Sequence, residues 1–380
     1  MTYARSRLWL GITGVGSLVV LSTMALFLRI PSQLLSNEPA FAVGQVLQLA
    51  ACSGLFMILL IPLDYLGGYL LPKQHGKLGD TFFAWLARYV PAALGQAGMF
   101  VLFGTTTILL SQKWGLIGGV VAIAIGVVGC LFFRNLWVTS REVNSQKTAA
   151  TLVDAMTLIQ TWNIYVPYTV VARHRDIGFT GGIIGFGQRT KIVIPESWLE
   201  FPTEQLASAI ARRAVAIESG SYSRGVVFAF FWNVVGFLLC SLLPNASLTT
   251  VAGLVTTVCG FTTWSFLGLL ILPTFSRNAS LKIDRHLKHQ GMVSDLIAQT
   301  AHQLDELQDG EPKRSALIEA IFHPIPNVAS RNQDHPINGF AAWNVARTTL
   351  FFSWPCLNFL SRSVHCNVGR PELWAMLPTD

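Results

Sequence analysis

The chain has 380 residues, 52% of them hydrophobic and only 12% charged, with a mean hydropathy of +0.48. Soluble domains usually carry about 25% charged residues, so the composition argues against an ordinary soluble protein and for an integral membrane one. The formal net charge of +7 does not indicate a nucleic-acid partner, because no basic run is interleaved with aromatic residues. It fits loops that face an anionic leaflet.

The N-terminus is basic at Arg5 and Arg7 and then apolar up to Arg29, longer than a signal-peptide core of roughly 15 residues. A small-residue pattern, Ala40-Phe41-Ala42, lies far beyond the apolar run, so the segment reads as a retained anchor. About 20 apolar residues are needed to cross a bilayer. That criterion predicts spans at 8–29, 44–66, 91–111, 114–137, 226–244 and 249–272.

Lys and Arg cluster on alternate loops: Arg5 and Arg7; Lys73, Lys77 and Arg88; Arg134 and Arg141; Arg277, Lys282, Arg285 and Lys288. The positive-inside rule places all of these on the cytoplasmic side, with the N-terminus, which implies an inner-membrane protein. Asp64 and Arg134 fall near span ends, where their side chains are expected to reach the interface. No matching pair of broken half-helices appears, so a transporter subunit ranks below other readings.

Both polar regions then share one face, and the chain divides into a membrane region at 1–137, two half-domains at 138–225 and 273–335, a transmembrane hairpin at 226–272 between them, and a tail at 336–380. In the first half, "SQKTAATLVDAMTLIQTW" has helical spacing, and "YVPYTVVAR" and "RTKIVIP" are short β-branched runs separated by the glycine-rich "FTGGIIGFGQ". "TEQLASAIARRAVAIESG" predicts a helix with Thr203 as N-cap and Glu204 in its first turn. The tail run "TTLFFSWPCLNFL" is too short to span and is interrupted by Pro355, so it belongs to a core or to the membrane interface. Cys52, Cys130, Cys240 and Cys259 sit in apolar runs and read as buried thiols.

Three segments resemble the HtpX-like and CAAX prenyl endopeptidase family of membrane zinc peptidases. "FTGGIIGFGQRTKIVIPESWLE" is similar to the family's edge strand, glycine turn and following strand. "LASAIARRAVAIESG" stands where the family has its metal helix, and "LPTFSRNASLKIDRHLKHQG" where it has the helix with a Glu-x-x-x-Asp motif. A weaker likeness is "FHPIPNVASR", in which His323 takes a structural position. The resemblance covers residues 140 to 335 and implies a polytopic α-helical membrane protein with a cytoplasmic, mainly α, zincin-like domain carrying a small β-sheet. In the family, two histidines of H-E-x-x-H and a later glutamate bind zinc, and the intervening glutamate is the general base. Here those positions are Arg212, Ala216 and Ser280 for the ligands and Arg213 for the base, and only the aspartate is kept, as Asp284.

These replacements bear directly on the chemistry. Catalytic zinc needs three ligands with lone pairs. Ala216 has no donor atom, and a guanidinium has no lone pair to give. Two unit charges 4 Å apart at an effective dielectric of 20 interact by about 4 kcal/mol, so a fixed cation repels a divalent ion by roughly twice that. Arg213 cannot take a proton from water. The resemblance therefore implies a degenerate member, a pseudopeptidase, with no zinc cofactor. Two readings of Arg212 stand side by side: it pairs with Asp284 across the former metal cleft, or it lies solvated on an exposed helix face. Breaking a buried pair from one side costs about 3–5 kcal/mol.

A relocated metal site would draw on His286, His289, His365 and Cys366. The competing reading of "KIDRHLKH" is a basic, headgroup-facing segment. Ser219, Ser221 and Ser223 lack a nucleophile elbow and a His/Asp pair. The strand segment Gly182, Ile183, Ile184 and Gly185 is the expected surface for a client peptide, which would add to it as a further strand. The function expected is that of a binding or scaffold protein for membrane clients, in contact with lipids and a protein partner. The alternative is an active membrane metalloendopeptidase with unusual or relocated ligands.

Overall fold

The computed structural model describes residues 2–38, 43–77, 79–143, 146–308, 318–319, 323–331 and 339–374. The Ala40-Phe41-Ala42 pattern lies outside these residues, as do parts of the 273–335 and 336–380 segments. Among the described residues six helices are long and apolar enough to cross a membrane: α1 (Tyr3–Phe27); α3 (Val43–Tyr65), continued through a π-turn into α4 (Leu71–Gln74); α5 (Phe82–Trp114); α6 (Leu116–Thr139); α9 (Ser221–Cys240); and α10 (Val251–His289). A short α2 (Ile30–Leu34) follows the first. The protein is a multi-pass membrane protein.

Several helices outrun the apolar stretches that predict them, and α10 does so furthest. Its polar extension stays helical because Ala279, Ile283 and Leu287, spaced four apart, bury one continuous face.

Two compact units divide the chain. The first comprises Met1–Cys130, Phe230–Gly268 and Thr349–Trp374. Its C-terminal part, which begins within α13 (Val345–Phe352) and includes α14 (Leu360–Ser363), is buried almost throughout. "TTLFFSWPCLNFL" is thus core from Thr349 onward, packed with the spans of this unit. The π-turn at Leu66–Leu70 allows that packing. A Cβ at Gly68 would lie 2.0 Å from the Gly369 carbonyl oxygen, and one at Gly67 would lie 2.7 Å from that of Val368. Arg7 is fully buried in the same place. Its guanidinium donates to the carbonyls of Gly67 (2.5 Å), His365 (2.7 and 3.0 Å) and Val368 (3.1 Å). It therefore ties chain segments together instead of facing headgroups.

The second unit comprises Leu131–Ala229 and Leu269–Thr348. It holds α7 (Gln146–Thr161) and three strands, β1 (Thr169–Ala172), β2 (Gly182–Ile184) and β3 (Lys191–Pro195). These are followed by α8 (Thr203–Glu218), α11 (Ser294–Leu307) and α12 (Val328–Arg331). The sheet order is β1-β3-β2, parallel between β1 and β3 (Val170 opposite Val193) and antiparallel between β2 and β3 (Ile183 opposite Ile192). Residues 141–143 close the outer edge of β1 through Val143 N–H to Val171 O (2.8 Å) and Arg173 N–H to Arg141 O (2.8 Å). That leaves β2 as the other edge.

Ile183, Ile192, Ile194 and Trp198 form the core with Ala155 and Ile159 of α7, Leu206, Ile210 and Ala214 of α8, and Ile297 and Leu304 of α11. Thr203 does not cap α8. Pro202 is the N-cap, and its carbonyl accepts from the N–H groups of Gln205 (2.9 Å) and Leu206 (3.1 Å). Proline's fixed φ already suits that position, so the threonine becomes the first helical residue.

Candidate functional site

Helix α8 is buried from Leu206 to Ala216, two arginines included. A guanidinium taken out of water must find compensating partners, and the two find different ones because successive helical residues point about 100° apart.

Arg212, 1% exposed, meets the Oδ1 of Asp284 on α10, itself 2% exposed. The second carboxylate oxygen, Oδ2, accepts from Arg331 of α12 at 2.9 Å. Arg331 is held in turn by its Nε–H to Pro326 O (3.1 Å), and its own carbonyl accepts from Lys288 (3.3 Å). The cluster thus gathers two guanidinium groups on one carboxylate. Burial, and then the charges of Arg331 and Arg213, push Arg212 well below the ordinary arginine range.

Arg213 points elsewhere. It donates to Ala209 O (2.8 Å) and to Thr180 O (2.8 Å), and its guanidinium lies 4.8 Å from the Trp198 ring centroid. Burial lowers it to about 9, still above neutrality, so it remains a cation. Ala216 is fully buried, and its carbonyl accepts from the Ser221 hydroxyl (3.1 Å). Ser280 is buried on α10, one turn before Asp284.

The residues present do not fit a catalytic zinc. Positions 212, 213 and 216 supply two cations and a methyl group, and Asp284 is engaged by Arg212 and Arg331. His286 and His289 are exposed on the last turns of α10. His365 and Cys366 belong to the first unit, where the His365 carbonyl receives Arg7. Among the described residues no three His, Cys, Asp or Glu side chains form a metal-ligand cluster.

Strand β2 is an edge in the ladder, yet Gly182, Ile183 and Ile184 are buried. Its flanks are pinned from α8 and α9: Arg213 bonds Thr180 O, and the Tyr222 hydroxyl bonds Gly185 O at 2.8 Å.

Two charges do not reach the interface as their sequence positions suggest. Arg134 is 1% exposed and lies near the Tyr222 hydroxyl. Asp64 is 1% exposed within the first unit. Its Oδ2 accepts from Arg362 (2.6 and 3.1 Å) and Tyr89 (3.1 Å), and its Oδ1 from the Gly369 N–H (2.8 Å). Arg362 also donates to Tyr89 (2.7 Å) and Gln96 (3.2 Å) and lies 4.1 Å from the Trp374 ring centroid. An unpaired charge inside apolar segments demands a partner. That was the signal available for matching Asp64 with Arg362.

Six apolar helices, a small mixed sheet and a helix pair joined by buried charge among the described residues define a multi-pass helical membrane protein. No protein-family model matches the chain, and no curated protein does. Among solved structures it is similar to Ste24p from S. mikatae, with a TM-score of 0.62. The match covers 83% of this chain and 79% of that one at 13% sequence identity. A likeness at that identity is one of fold, and function has to be argued from the site.

Proposed function

We propose that this chain is a pseudopeptidase: a membrane protein that keeps the peptidase architecture, carries out no zinc hydrolysis, and binds or scaffolds membrane clients. The observation that supports this reading is the Arg212–Asp284–Arg331 cluster. At the positions where the resembling family binds its metal, two guanidinium groups converge on the one retained acid. A divalent cation entering there would meet two fixed positive charges and no set of three free lone-pair donors. In this reading the second unit and the N-terminus are cytoplasmic, in the inner membrane, because the basic loops fall on that side.

The client surface in this proposal runs along β2 into the exposed Phe186. An incoming strand would pair beside Gly182–Ile184 after displacing what covers them.

Metal content of detergent-purified wild-type protein, dialysed without chelator, tests the loss of zinc. Far less than one zinc per chain is expected. Near one per chain would overturn the reading in favour of an active metalloendopeptidase with relocated ligands. A photo-crosslinker at Phe186 tests the client surface. Specific adducts lost on Ile184→Pro are expected, and adducts unchanged by that variant would move the interface elsewhere.

A further inference from the structure

The first unit carries a groove of about 750 Å³ between α3–α4 and α5, within the roughly 300–1,000 Å³ typical of small-ligand sites. Its inner wall is aromatic: Tyr65, Tyr69, Trp85 and Tyr89. Trp85 and Tyr89 are fixed from behind, Trp85 by its indole N–H to Gly369 O (3.2 Å) and Tyr89 by Asp64 and Arg362. The outer rim is apolar and open, with Ile61 45% and Val90 40% exposed. Both lie on membrane-spanning helices, so the groove opens toward acyl chains.

One end of the groove is polar. Lys73 lies there, on the last turn before the loop that joins α4 to α5. Its ammonium donates to the Tyr69 hydroxyl at 2.9 Å and sits 5.1 Å from that ring's centroid. Among the described residues Lys73 meets no carboxylate. The neighbouring Arg88, by contrast, is neutralised by Asp80 (2.5 Å) and Glu372 (3.1 Å). The Tyr69 hydroxyl accepts from Lys73 and keeps its own proton to donate. Lys73 retains two further N–H bonds. An apolar aromatic trough opening to the bilayer, ending in an ammonium and a phenol at headgroup depth, has the charge and shape of an acidic amphiphile.

We propose that this groove is a binding site for an acidic phospholipid drawn from the surrounding bilayer. One acyl chain lies along Tyr65, Trp85 and Tyr89, and the phosphate accepts hydrogen bonds from Lys73 and the Tyr69 hydroxyl. The site is separate from the Arg212–Asp284 cluster, and the proposal is independent of whether the chain is a peptidase.

The test is native mass spectrometry of the full chain released from nanodiscs of mixed phosphatidylglycerol and phosphatidylcholine. The expected result is one retained phosphatidylglycerol per chain, preferred over phosphatidylcholine. Lys73→Gln should weaken retention about fivefold, the effect of one basic residue near a membrane surface. Tyr69→Phe should weaken it less, and Val90→Trp should exclude both lipids by filling the groove. Lys73 is exposed, so its replacement leaves the fold intact. Equal retention of the two lipids, or no change on Lys73→Gln, would overturn the proposal. So would displacement of the lipid by glycerol phosphate alone, which would define a soluble-anion site.

Discussion

Asp284 is the hub of the buried cluster, and removing it should damage the second unit far more than removing Arg212. Each close carboxylate–guanidinium contact is worth about 4 kcal/mol at 4 Å and an effective dielectric of 20. Asp284→Ala discards two of them, to Arg212 and to Arg331, and leaves both cations buried. Stranding buried charge costs about 3–5 kcal/mol. Arg212→Met behaves differently. Asp284 keeps Arg331 at 2.9 Å, an apolar chain of similar length fills the space, and the repulsion of Arg212 by Arg331 and Arg213 disappears. Its cost should stay below about 2 kcal/mol.

Hydrogen exchange of peptides from residues 203–218, read by mass spectrometry, measures local opening directly. A change of 1.4 kcal/mol is tenfold in the opening equilibrium, so Asp284→Ala should accelerate exchange of α8 by about a hundredfold or more. Arg212→Met should do so by less than about thirtyfold. Equal acceleration by the two variants would refute the hub argument, because Arg331 would then contribute nothing. Unchanged exchange in Asp284→Ala would refute the cluster altogether.

Arg213→Lys should lower the melting temperature, because an ammonium cannot reach Ala209 O and Thr180 O together while stacking on Trp198; about 1–3 kcal/mol is at stake, read by thermal unfolding in detergent. Arg362→Met alone should strongly destabilise the first unit, whereas Arg362→Met combined with Asp64→Leu should recover most of the loss, since exchanging a whole buried pair for apolar residues is often neutral; a double-mutant cycle on melting temperature decides it. Finally, Arg212→His, Arg213→Glu, Ala216→His and Ser280→Glu together should take up about one zinc per chain, the occupancy of a single rebuilt site. Absence of uptake by metal analysis would mean that these positions do not converge.

The spans were legible because a run of about 20 apolar residues matches the thickness of a bilayer and seldom suits a soluble core, and the strands because "TVVA" and "KIVIP" are β-branched runs between turn residues. Neither signal reaches across the chain. Arg362 lies 298 positions from Asp64, and Arg331 lies 47 from Asp284. No periodicity links residues so far apart: the charge of Asp64 within an apolar run called for a partner, but nothing local pointed to Arg362, nor from Asp284 to Arg331 on the short helix α12. The length of α10 was hidden for a related reason. Its extension is polar on one side, and only the four-residue spacing of Ala279, Ile283 and Leu287 reveals that the helix continues. Arg212 could be connected with Asp284 in the sequence only through a family resemblance; nothing in local spacing brings α8 and α10 together.

Both units contain a buried carboxylate gripped by arginine, and in each it joins segments distant in the chain. Asp64 connects α3 to the C-terminal segment through Arg362 and the Gly369 amide. Asp284 connects α10 to α8 and α12 through Arg212 and Arg331. Stability alone does not account for such pairs, since well-packed apolar residues would serve as well or better. What an ion pair adds is direction: a carboxylate accepts only along its lone pairs, so each guanidinium fixes the register of the helix that carries it. A zinc ion held between α8 and α10 would impose the same register through its own bond geometry. In the pseudopeptidase proposed above, a carboxylate between two guanidiniums would keep the helices aligned while offering no open coordination position of the kind that zinc hydrolysis needs. If the chain is the pseudopeptidase proposed above, the cations that Arg212 and Arg331 bring to Asp284 would let the fold persist without zinc.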